Sequence, residues 1–68
     1  MELQRILGRN VRRLREAKGL SQEELAHASG IHVTYLSGVE NGRRNITVAV
    51  LERLANALGV AETELVCR

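Results

Sequence analysis

The chain has 68 residues, with ten Lys and Arg against eight acidic residues, all of them Glu, and Tyr35 as its only aromatic side chain. So short a chain buries only about 60% of the surface it exposes when unfolded, so it holds one domain with a marginal core unless a partner adds to it. It lacks Pro, Phe and Trp and draws its apolar content from Leu, Val, Ile and Ala, which favours a small all-α bundle over a sheet.

In chain order, Leu3, Ile6, Leu7, Val11 and Leu14 recur at helical spacing. They predict an amphipathic helix over residues 2–18, stopped by Gly19. Ser21 caps a second helix, and Glu24 completes a capping box. Leu25, Ala26 and Ala28 form that helix's buried side, and Ser29-Gly30 ends it. Residues 32–40 make a third short helix, anchored by Ile31, Leu36 and Val39 and closed by Asn41-Gly42, residues that tolerate positive φ. A basic loop, 43–46, leads to Thr47, which caps a fourth helix running to Leu58 and closed by Gly59. A last turn or two over 61–66 brings Leu65 and Val66 inward. There are no repeats or linkers, so residues 1–68 read as one five-helix unit.

Between Val48 and Leu58 the only polar residues are Glu52, Arg53 and Asn56, which share one narrow stripe. A helix apolar over most of its circumference needs cover on more than one side. The expectation is a homodimer in which Val48, Leu58, Val60, Leu65 and Val66 pack against a second copy. The alternative is a fully internal core in a monomer.

Residues 22–41 carry a sharper signal. Ala26 falls where two helices must cross closely, and Gly30 sits in the connecting turn, where positive φ is required. Leu25, Ile31, Leu36 and Val39 point between these two helices and the first one. This is the logic of a helix-turn-helix, two short helices crossing steeply through a tight Gly-containing turn. Charge is uneven as well. Residues 1–20 hold six cationic side chains against Glu2 and Glu16, whereas residues 46–68 hold Arg53 and Arg68 against Glu52, Glu62 and Glu64. A basic side and a slightly acidic side point to an anionic partner approached from one face. A solvated Arg-rich helix face is the other reading.

The segments "SQEELA", "SGI", "YLSGVENG" and "LERLANALGV" resemble the phage repressor and Cro-type (XRE-like) helix-turn-helix family over about Val11 to Leu65. Within it, "TYLSGVENGRRNIT" is most similar to the controller proteins of restriction–modification systems. The resemblance implies a compact five-helix lambda-repressor-like domain whose recognition helix begins near His32 and lies in the major groove of double-stranded DNA. Carried over position by position, it implies base contacts from His32, Val33, Thr34 and Gly38, with Ser37 serving bases or phosphates. Val33 departs from the long polar residue common at that position. It can only pack on apolar surface, best a thymine methyl, or steady the turn. Phosphate contacts fall to Gln22 at a helix N-terminus and to Asn41, Arg43, Arg44 and Asn45 in the loop. The Tyr35 hydroxyl joins them unless its ring packs inside. Arg15 and Glu40 are implied as an ion pair that locks the recognition helix; the other reading is two independently solvated surface charges. Some relatives present acidic residues of the second helix to RNA polymerase; with Glu24 used in capping, Glu23 is the candidate, and the other reading is a favourable charge near a helix N-terminus.

Catalysis and cofactors find little support. There is no Asp for a triad or dyad, and the glycines are dispersed and mostly mark helix ends. His27 and His32 lack the i, i+4 spacing of a helical metal pair, and Cys67 is remote from both. No metal, cofactor or small-molecule ligand is expected. The N-terminus lacks the pattern of a signal peptide, and no apolar run approaches the ~20 residues of a membrane span. One cysteine cannot form an internal disulfide. A cytoplasmic, non-enzymatic, homodimeric transcription regulator on a partly palindromic operator is the expectation. An antitoxin that also binds a partner toxin, or a helical adaptor that has lost DNA binding, are the other classes.

Overall fold

The computed structural model describes residues 2–68 and contains five α-helices: α1 (Glu2–Ala17), α2 (Gln22–Ser29), α3 (Val33–Glu40), α4 (Val48–Leu58) and α5 (Glu62–Leu65). Local chemistry sets most of these limits. The Ser21 hydroxyl accepts the Glu24 backbone N–H at 3.0 Å, while the Glu24 carboxylate accepts the Ser21 N–H at 2.8 Å. Two donors that would otherwise be orphaned at the start of α2 are thereby satisfied. At α4 Thr47 satisfies one such donor by accepting the Val50 N–H at 3.1 Å. At the end of α2, Gly30 adopts φ 73° and its N–H reaches the carbonyls of Ala26 and His27. A side chain at that φ would be strained, so glycine sets the α2–α3 corner.

Leu7 and Val11 of α1, Leu25 and Ala26 of α2, Leu36 and Val39 of α3, Leu54, Ala55 and Leu58 of α4, and Leu65 of α5 meet in one core. In that core α1 packs on α3, α2 on both α3 and α4, and α5 on α1 and α4. Asn10 is the polar exception on the buried face of α1. Its amide donates to the carbonyls of Leu65 (3.0 Å) and Cys67 (2.7 Å) and so ties the chain's last turn to the first helix.

Several helix faces differ from the sequence expectation. Leu58 and Leu65, expected at a dimer interface, are only 1% and 0% exposed. They fill the core of their own chain and have no surface to offer a second copy. The cause is the insertion of α5 between α1 and α4, which supplies internally the cover that α4 requires. Val48, by contrast, is 73% exposed, and Val66 lies beyond the end of α5 and is exposed rather than turned inward. A four-residue helix has one inward position, and Leu65 takes it. Ala28 is exposed because the buried side of α2 runs through Leu25, Ala26 and Ser29. Leu3, included in the apolar pattern of α1, is exposed too. His32 stands just outside α3 as its N-cap, with an extended backbone.

At Gly8, α1 lies tight against the end of α3. A Cβ there would lie 2.4 Å from the Val39 carbonyl oxygen and 2.7 Å from that of Glu40. These are backbone atoms of α3 and cannot swing aside. Gly8→Ala, though it favours helix by about 1 kcal/mol, is therefore expected to destabilise the fold by about 2 kcal/mol. Urea unfolding measures it, and an equal or higher midpoint would show that α1 and α3 can separate freely.

Candidate nucleic-acid interface

Leu36 and Val39 anchor α3 in the core, which leaves Val33, Thr34, Ser37 and Gly38 on its outward side. Gln22, Val33, Thr34, Ser37, Gly38, Asn41, Arg43 and Arg44 line one open cleft of about 460 Å³. Eight of the residues singled out in the sequence are thus brought together. His32, Tyr35 and Asn45 lie outside that lining. His32 and Asn45 are exposed, and Tyr35 is half-buried.

Four of the proposed contact residues, Tyr35, Asn45, Arg44 and Gln22, have intramolecular partners that fix their positions. Tyr35 donates its hydroxyl to the Asn45 carbonyl at 3.3 Å, and Asn45 accepts a hydrogen bond from the side chain of Gln4. The Arg44 guanidinium stands 5.5 Å from the centre of the Tyr35 ring, within cation–π range. Its stem crosses α3 at Gly38, where a Cβ would come 2.9 Å from the Arg44 Cγ. Glycine at 38 therefore gives the loop arginine room to lie on the helix. Gln22 donates to Glu40 at 3.0 Å. A carboxamide nitrogen carries two hydrogens, so one remains for a further acceptor.

Beneath the cleft Arg15 grips Glu40 through Nε at 2.7 Å and Nη2 at 3.1 Å, and gives Nη1 to the Leu20 carbonyl at 2.8 Å. The side chains are 11% and 2% exposed. The hydrogen bond to Glu40 raises the Arg15 pKa above its ordinary value, against the opposing effect of burial, with smaller contributions from the charges of Glu40 and Glu16. The pair joins α1 to α3, with Gln22 of α2 as its third member. Sequence reasoning missed Gln4 and Asn10. Asn10 had a signal, a polar residue in register with Ile6, Leu7 and Val11; Gln4 meets Asn45 across 41 positions and had none.

The described residues contain no group of three or more His, Cys or Glu side chains placed to hold a metal ion, and no helix among them is long and apolar enough to cross a membrane.

An anchored short helix, a steep glycine corner and a cleft fringed by arginine define a helix-turn-helix protein. The helix-turn-helix family model HTH_3 matches residues 11–65, and the chain belongs to that family. It is 52% identical over 66 residues to an uncharacterized HTH-type transcriptional regulator, y4dJ, of Sinorhizobium fredii, a match spanning 97% of this chain and 86% of the relative. It is 44% identical over 68 residues to the control protein C.SmaI of Serratia marcescens, spanning 100% of this chain and 81% of the relative. The crystal structure of the restriction-modification controller protein C.AhdI from Aeromonas hydrophila superposes with a TM-score of 0.92 at 43% identity, covering 96% of this chain and 98% of that one. The chain is an all-α, XRE-like transcriptional regulator with a DNA-binding helix-turn-helix, and its relatives are regulators and controllers rather than enzymes.

Removing one partner of a buried ion pair leaves an uncompensated charge inside the protein. Glu40→Ala is expected to cost about 3 kcal/mol in urea unfolding. A loss below about 1 kcal/mol would show that solvent screens the pair as it does a surface bridge.

Proposed function

We propose that residues 1–68 act as one DNA-binding domain that pairs as a homodimer and recognises a partly palindromic operator sequence. The observation that carries this reading is the convergence of outward α3 side chains with Arg43 and Arg44 in one cleft. In the proposed complex α3 lies in the major groove, with Val33 against a thymine methyl and His32, Thr34 and Ser37 offering polar groups to base edges. Gly38 brings α3 close to the bases and makes room for Arg44. Asn41, Arg43, Arg44 and Asn45 hold the strand on one side, and Gln22 at the start of α2 holds the other. Tyr35, tied to the Asn45 carbonyl, steadies the loop, and its hydroxyl reaches a phosphate by turning its one hydrogen from that carbonyl to the strand. Short side chains on α3 limit direct readout, so the shape of the duplex supplies part of the specificity.

Two copies placing their α3 helices one turn of DNA apart, about 34 Å, read two half-sites. Exposed Val48, with Val60 and Val66, supports a second-copy contact at the α4–α5 side. Occupancy then follows protein concentration, an arrangement suited to control of the protein's own gene in the cytoplasm. Glu23, exposed on the first turn of α2, is the proposed contact to RNA polymerase.

Duplexes selected from a random pool, then footprinted, are expected to show two related half-sites. Arg43→Glu with Arg44→Glu is expected to weaken binding about 100-fold or more at low ionic strength, since each lost phosphate contact also removes counterion release. Undiminished affinity would overturn the reading. Val48→Glu is expected to shift the sedimenting species towards monomer, and an unchanged dimer would remove Val48 from the interface. Glu23→Lys is expected to leave operator binding within about twofold while abolishing activation in a reporter assay, since rim charges that make no DNA contact add little to affinity. Intact activation would exclude that contact.

A further inference from the structure

The basic face of α1 lies outside the cleft just described. A second cleft, of about 560 Å³, is lined by Arg5, Arg9 and Arg13 of α1 and by Asn41 and Gly42 after the end of α3. The carboxylates around it are already engaged. Glu2 accepts Arg68 at 3.0 Å, Glu16 accepts Arg12 at 3.3 Å, and Glu40 is held by Arg15. Among the described residues no carboxylate lies within ion-pair distance of Arg5, Arg9 or Arg13, and all three are exposed.

The spacing gives the row its shape. Arg5, Arg9 and Arg13 stand four residues apart on one helix face, and like charges so placed weaken a helix. Four residues advance the axis by about 6 Å, so the row extends for about 12 Å. A small anion would meet one or two of these groups, whereas a row of this length suits a polyanion. One strand of duplex DNA carries a phosphate every ~3.4 Å along its axis, about three or four over that length. The row also continues the DNA-facing loop. A Cβ at Gly42 would lie 3.3 Å from the Arg5 Cγ and 3.4 Å from its Cα, so Arg5 packs directly beside the residue that precedes Arg43 and Arg44.

We propose that Arg5, Arg9 and Arg13 bind the sugar–phosphate backbone of the duplex outside the half-site read by α3, lengthening the footprint of each protomer. The proposal rests on the DNA-binding reading above and adds a second, sequence-independent track to it. Its contribution is electrostatic, so it raises affinity and salt dependence without changing which sequence is preferred.

The test compares the full chain with the triple variant Arg5→Gln, Arg9→Gln, Arg13→Gln on two duplexes. One is the selected operator trimmed to its footprinted core, and the other carries arbitrary flanks of about one helical turn on each side. Gln has nearly the helix propensity of Arg, and thermal melting checks the fold. The wild type is expected to bind the flanked duplex about tenfold more tightly than the core, with a steeper salt dependence, since each added phosphate contact contributes about 0.9 to the slope. The variant is expected to bind both duplexes as the wild type binds the core. Equal affinities of wild type and variant on the flanked duplex would overturn the proposal and leave the row to an acidic protein partner. An equal loss on both duplexes would overturn it too, by placing the row within the half-site. Salt-insensitive binding of the wild type to the core would instead sink the DNA reading, and this proposal with it.

Discussion

The bidentate grip of Arg15 on Glu40 is the constraint on which the reading surface depends. Glu40 occupies the last turn of α3, where a carboxylate faces the negative end of the helix dipole and is disfavoured on its own. Arg15 reverses that balance, and the pair is extended by Gln22, which donates to Glu40, and by the Leu20 carbonyl, which accepts from Arg15. One hub thus binds α1, α2, the α1–α2 turn and α3. A buried ion pair seldom adds much net stability compared with apolar packing, so its advantage here is direction. Leucine and valine side chains hold α3 down, but they do not fix its rotation. Two charge-assisted bonds at 2.7 and 3.1 Å do.

An eight-residue helix that spends Leu36 and Val39 on its anchorage has few side chains left for a partner. Those it presents are short: Val33, Thr34, Ser37 and no side chain at Gly38. Reach comes from the following loop, where Arg44 lies over Gly38 and the Tyr35 ring, and Tyr35 ties back to Asn45. The helix and its loop therefore form one surface, built from residues 33 to 45. Gly38 has no positive φ to require glycine. Its missing side chain is explained by the arginine stem that crosses it, at the usual cost of glycine in a helix.

Most of the local architecture was legible in the sequence because its causes are local. The capping box at Ser21 and Glu24, the Thr47 cap, the Gly30 corner and the order of five helices all arise from residues a few positions apart. The eight residues that line the cleft beside α3 had been singled out together, although by family likeness and not by spacing. The failures have a common origin. Periodicity finds an apolar face but not the element that covers it, so Leu58 and Leu65 looked available to a second copy although both are buried in their own chain's core. A single turn such as α5 has no period to read, hence the error at Val66. Contacts such as Gln4 with Asn45 and Asn10 with the C-terminal carbonyls span more than forty positions and leave only faint traces.

This arrangement divides stability from affinity along the chain. Residues that hold α3 from beneath, Gly8, Arg15 and Glu40, are packed or paired within the protein, so changes there alter the fold first and recognition as a consequence. Arg43 and Arg44 are exposed and form no intramolecular ion pair among the described residues. In the proposed complex their charges exchange water and counterions for phosphate at little cost to the folded state. The same holds for the row on α1, where the nearby carboxylates are occupied by other cations. Net charge is therefore a poor guide to how this protein meets a polyanion. An overall +2 conceals cationic groups left unneutralised along one side, and it is their spacing and lack of internal partners that set the strength of the attraction.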